Sequence, residues 1–218
     1  MCYNEKVSIA TFLTVSGISL FLWLRDNKID RAVSLIIFVI VFIQLLEFII
    51  WSYQDKKECN PYNRVASLLI PYVITTQIPL IALIIKQMDA GTGIYYDYII
   101  YSWFPLVVWA TYELYKDHKF DFTKDNCIRP GNSNHLDWNI NFLNTLEFRP
   151  DFMYLFYLFI YYVGGTYVFS TLKNRLLSYV FSGGLFISGA INYFHYERVW
   201  GSMWCHAANF MGMAAIFC

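Results

Sequence analysis

The chain has 218 residues, 57% of them hydrophobic, 20% aromatic and only 15% charged, with a formal net charge of zero. Soluble domains carry nearer a quarter charged residues, so this composition excludes an ordinary water-soluble domain. The balanced charge excludes a basic nucleic-acid-binding surface, and the mean hydropathy of +0.40 makes the lipid bilayer the partner the chain implies.

Apolar runs of about 18 residues or more are long enough to cross a membrane. Seven are expected: Val7–Leu24, Ala32–Tyr53, Val65–Ile85, Ile94–Tyr115, Asp151–Leu172, Leu176–Phe194 and Val199–Cys218. Backbone groups in hydrocarbon must be paired within their own element, so these are helices. The expectation is an all-α, polytopic membrane protein, a single domain over residues 1–218. The first run lacks a small-residue cleavage site and reads as a retained span.

The first span is flanked by Lys6 before it and by Arg25, Lys28 and Arg31 after it. That asymmetry puts the N-terminus outside. The outer loops would then hold Lys56, Lys57 and Arg64 as well, so the charge rule alone does not decide the orientation. The second span carries Glu47, with Gln44 and Trp51 three residues before and four after it on the same helix face. A carboxyl group here should look into the bundle.

The third span opens on "CNPYN", where Asn60 suits an N-cap and Pro61 the first turn. Inside it Pro79 removes a backbone donor and collides with the carbonyl of Thr75, which predicts a kink near Gln77. Glu113 ends the fourth span near an interface, where solvation explains it most simply. The long connection Lys116–Pro150 contains "HLDWNINFLNTLEF", a short interfacial helix or an irregular loop with rings dipped into the headgroups. Asn192, Tyr193, His195 and Glu197 cluster at the end of the sixth span, again near an interface.

In the seventh run, Gly201, Cys205, Ala208, Gly212 and Ala215 form a stripe of small residues, the mark of a close helix–helix seam. His206, Asn209 and Met213 flank that stripe and should face the bundle. His206 and Glu47 lie at comparable depth, so the two could meet if their helices are neighbours.

Seven crossings gather Cys2, Cys59, Cys127 and Cys205 on one side and leave Cys218 on the other. An even set on one face predicts two disulfides in an oxidising compartment, with three pairings open. Four thiolates, alone or with His135 or His195, are the competing metal site. No CxxC or HxxxH spacing is present, so no metal and no cofactor is expected. The seventh run has no lysine for a retinal Schiff base, and no Walker, Rossmann, GxSxG or HExxH motif occurs.

The landmarks Met1-Cys2, Glu47, Cys59-Asn60, Gln77 and Pro79, Cys127 with Arg129-Pro130, Asp137-Trp138, and Trp204-Cys205 resemble those of a family of multi-pass membrane proteins that begin Met-Cys-Trp-Ser. That family occurs in bacteria, algae and large DNA viruses and has no known activity. This chain begins Met-Cys-Tyr-Asn instead. The placement of Cys59 and Cys127 is similar to the bridge of rhodopsin-like receptors, which implies Cys59–Cys127 and leaves Cys2–Cys205. "MWCHAANFMGM" also resembles the last helix of alkaline ceramidases and adiponectin-type receptors, which are zinc hydrolases. The second histidine of their HxxxH pair is absent, since Ser202 and Phe210 stand four residues either side of His206.

The expected function is a receptor-like or transport-like bundle. Its polar pocket, in the outer half, would join Gln44, Glu47, Trp51, Gln77, His206 and Asn209 around a small ligand or ion. The alternatives are a metal-dependent lipid hydrolase using Glu47 and His206, and a scaffold with no ligand.

Overall fold

A computed structural model describes residues 4–25, 27–55, 58–123, 125–131, 136–137, 152–195 and 209–216; of Asp137 and residues 188–195 it describes the backbone alone. The described chain is helical, and four helices are long and apolar enough to cross a membrane: Glu5–Leu24, Lys28–Ser52, Pro61–Gln87 and Phe152–Ser170. The protein is thus an all-helical membrane bundle; four such helices, not seven, are found among the described residues.

Helix α1 (Glu5–Leu24) starts where the Asn4 side chain accepts the Val7 amide, and α2 (Lys28–Ser52) where Asn27 accepts from Ile29. Helix α3 (Pro61–Gln87) begins as its sequence predicts, with Asn60 accepting from Tyr62 and Pro61 in the first turn. It continues through Pro71 and Pro79, and the Thr75 hydroxyl bonds the Pro71 carbonyl at 2.8 Å.

The fourth expected span is not one helix. It divides into α4 (Tyr96–Tyr101) and α5 (Trp103–Lys116) around Ser102. Pro105 is the physical reason: it has no amide to give the Tyr101 carbonyl, and its ring crowds that group. The Ser102 hydroxyl turns back onto the Ile99 carbonyl at 2.6 Å.

After α5 a two-residue antiparallel pairing joins β1 (Arg129–Pro130) to β2 (Leu136–Asp137). The run expected as a short interfacial helix or an irregular loop is extended at Leu136–Asp137, and the rest of it lies outside the described residues. The next span is continuous but changes winding: α6 (Phe152–Leu158), a π-helical stretch (Phe159–Gly164) and α7 (Gly165–Ser170). Helix α8 (Arg175–His195) follows, and the described part of the last run is α9, residues 209–216.

The helices pack in chain order: α1 on α2, α2 on α3, α3 on α4, α5 and α7, and α7 on α8. Ser19 and Ser34 lock α1 to α2 reciprocally, each hydroxyl bonding the other residue's carbonyl, at 2.9 and 2.7 Å. A Cβ on Gly165 would fall 2.9 Å from Leu185 and 3.1 Å from Ile78, so glycine lets α3, α7 and α8 meet there. Helix α9 closes the row back to α1. Asn209 donates to the Thr11 hydroxyl at 3.1 Å, Gly212 faces Val15 and Ile18, and Met211 packs against Gly184 of α8. The small-residue stripe is therefore a seam against α1 in its described part. Met213, expected to face the bundle, is 53% exposed, because α9 turns that side away from both neighbours.

At the face opposite the disulfide, the loop after α3 is stitched to the one after α7. Gly91 pairs with Leu172, Lys173 N–H donates to Ala90 O at 2.9 Å, and the Lys173 ammonium meets Asp89 at 2.9 Å.

Candidate functional site: a polar layer inside the bundle

Helix α2 presents a strongly apolar face to its neighbours, yet Gln44 and Glu47 are both completely buried within it. The reason is rotational. Val39 meets α3 and Ser34 meets α1, which leaves the arc between them, carrying Glu47, aimed at the bundle interior. Trp51, one turn beyond Glu47, is half-buried, and its indole N–H has no hydrogen-bond partner among the described residues.

Glu113 was expected to be solvated at an interface. It is 3% exposed, because the face of α5 that carries Trp109, one turn before it, packs on α6, with Trp109 and Tyr157 ring centroids 5.9 Å apart. Two registers set its depth. Asn63→Ile50 and Gln77→Val39 align α3 against α2 and put Glu47 level with the turn around Ser67. Tyr72–Thr111 and Trp103→Thr76 align α3 against α5 and bring Glu113 to the same turn. Two buried carboxyl groups from helices flanking α3 thus share one layer. The Tyr157 hydroxyl, also buried, has no partner among the described residues. No lysine or arginine is buried among the described residues.

Above this layer sits the disulfide face. Cys59 and Cys127 are bonded, with Cα atoms 5.4 Å apart. Asp125 lies beside them; these three are the one His/Cys/Asp/Glu cluster of metal-binding size among the described residues, and its two sulfurs are taken by their mutual bond. Cys2, Cys205 and Cys218, His135 and His206 all lie outside the described residues, as does the expected Cys2–Cys205 link.

Gln77 is buried and its amide donates to the Val39 carbonyl at 3.4 Å. It also lines an open groove of ≈ 360 Å³ between α2 and α3, with Phe38, Phe42, Leu69, Val73 and Thr76. That groove opens on the outer surface of the helix pair, away from Glu47. Gln44, Glu47, Trp51 and Asn209 do not line it. The structure therefore brings Gln44, Glu47 and Trp51 to one face, sets Gln77 on the flank and ties Asn209 to α1.

Sequence reasoning passed over Glu113 and Tyr157. The signal for Glu113 was available: Trp109 and Glu113 are four apart and share a helix face. For Tyr157 no local signal existed, since its partner Trp109 lies across a long connection.

Comparison with family models, curated proteins and solved structures finds no match.

Proposed function

We propose that the chain is a seven-span, receptor-like or transporter-like membrane protein, N-terminus and disulfide face outward, whose interior binds protons or a small cation at Glu47. The observation that carries this reading is the burial of Glu47 and Glu113 at the one level that the α2–α3 and α3–α5 hydrogen-bond registers give them. Placing a carboxylate at the centre of a span costs about 2.5–3.5 kcal/mol on insertion scales. Two such groups at one level incur that cost twice. A buried carboxyl in such a place stays only if a proton, a cation or donor groups hold it. Changes among those states are binding events, which is how pumps and transporters use intramembrane acids. Gln44 and Trp51 stand one turn before and after Glu47 and supply polar contacts to an occupant. The outward orientation agrees with a disulfide on the N-terminal side.

The test is infrared difference spectroscopy on purified protein in nanodiscs, across pH and with sodium, calcium or tetramethylammonium added. Carboxyl bands should respond, and Glu47→Gln and Glu113→Gln should each remove part of the response. If no carboxyl band answers to pH or to any added cation, the interior is structural and the reading is wrong.

A further inference from the structure

We infer that the loop segment Cys127–Pro130 is a gate over this interior layer, with the Cys59–Cys127 disulfide as its latch. The inference rests on the interior site proposed above and adds how that site is reached.

Ile128 belongs to the long connection between α5 and α6, yet it is 2% exposed. It enters the mouth between α2 and α3. Its N–H donates to the Ser67 hydroxyl at 3.1 Å. Its carbonyl accepts from Asn63 at 3.1 Å and from Gln54 at 3.0 Å. Ser67 in turn donates to the Asn63 carbonyl at 2.8 Å. Ser67 marks the α3 turn at whose level Glu47 and Glu113 lie, so Ile128 is seated directly at the rim of that layer. Just outside, Arg129 donates to the Asp55 carbonyl at 2.7 Å and pairs with Asp125 at 2.6 Å.

The way this segment is held is what makes it a gate rather than a wall. Apart from its two-residue pairing with β2, no regular secondary structure carries it. Its grip on the mouth is one buried apolar side chain, Ile128, a few side chain-to-backbone hydrogen bonds and one covalent link that bridges 68 positions of sequence. A segment with a single apolar anchor and no helix of its own opens at less cost than the helices it seats on, and a cross-link over a long loop suppresses the open states. Reduction by an added dithiol breaks the sulfur–sulfur bond. Two electrons and two protons pass to Cys59 and Cys127 as thiols, and the reductant closes to its own disulfide. The hydrogen bonds, the buried Ile128 side chain and the short pairing with β2 are then what holds the segment in the mouth.

The experiment uses the full chain in nanodiscs with Gln44→Cys as an interior reporter, corrected for labelling of the chain without it. The readout is the labelling rate by a charged, membrane-impermeant methanethiosulfonate. Three backgrounds are compared: disulfide intact, Cys59→Ser/Cys127→Ser, and Ile128→Gly, which keeps the disulfide and serves if the double variant does not fold. Labelling should be slow in the first and about tenfold faster or more in the other two, as expected for a locally opened segment. Equal rates in all three, or fast labelling with the disulfide intact, overturn the gate. Labelling reports access alone and infrared bands report occupancy alone. A gate that opens over silent carboxyls refutes only the cation reading, and responsive carboxyls with unchanged labelling refute only the gate.

Discussion

Asn63 is the side chain whose removal the structure makes easiest to price. It is 1% exposed. Its amide donates to the Ile50 carbonyl at 3.3 Å and the Ile128 carbonyl at 3.1 Å, and its oxygen accepts from Ser67 at 3.0 Å. Ile50 lies in the last turn of α2, where carbonyls have no partner within the helix. In Asn63→Ala, Ile128 keeps the Gln54 donor and Ser67 keeps the Asn63 main-chain carbonyl. The Ile50 carbonyl loses this donor without such a substitute. Net hydrogen bonds are worth about 0.5–1.5 kcal/mol and a stripped buried group costs about 1–3 kcal/mol. Inter-helix bonds in membrane bundles run lower, averaging about 0.6 kcal/mol, so about 2 kcal/mol is expected in all. Asn63→Asp keeps the shape but turns two donors into an acceptor facing two carbonyls, and should cost more than alanine. The assay is equilibrium unfolding of the disulfide-intact protein from mixed micelles by SDS titration, followed by tryptophan fluorescence. If Asn63→Ala falls within about 0.5 kcal/mol of wild type, the range of an uninvolved surface site, the seat described for Ile128 is wrong.

Two further outcomes follow from the structure. Ser34→Ala should destabilise by about 1 kcal/mol, the scale of inter-helix hydroxyl bonds in bilayers, and Ser19→Ala/Ser34→Ala should cost less than the two single losses added, because the bonds are reciprocal; strict additivity in the same SDS titration would mean the pair does not exist. At the opposite face, the hydrogen bond from Lys173, and then its charge, hold the Asp89 carboxyl below the usual aspartate range. A lowered folded value means the loop tie is complete above the usual range and is lost as pH falls through the lowered one. An NMR titration should find the Asp89 midpoint below free aspartate and returned to the ordinary range by Lys173→Gln; a midpoint that Lys173→Gln leaves in place contradicts the contact.

Much of the framework was legible because lipid demands it locally. A run of apolar residues in hydrocarbon has one way to pair its backbone, so α1, α2, α3 and the helix over Phe152–Ser170 follow from composition alone. The start of α3 was legible too, since a cap and a first-turn proline act within four residues. The break at Ser102 was equally local and was missed because Pro105 sits in an otherwise unbroken apolar run.

The site was legible only in part. That Glu47 must turn inward follows from its solvent, since a carboxyl facing lipid is too costly. Which groups share its layer does not, because depth and rotation are set by neighbours. Glu113 looks like an interface residue until α6 covers it, and Met213 looks inward until α9 is seen to turn it out. Ile128 is an unremarkable loop residue until a partner 61 positions away, Ser67, accepts its amide. The sequence by itself determined four stretches that must be helices in a membrane, and that Glu47 must be buried. Only the tertiary structure decided which helices lie beside α3, and so which carboxyl stands level with Glu47 and which loop residue seats against Asn63 and Ser67. Contacts that far apart in the chain arise from packing, and no local pattern encodes packing.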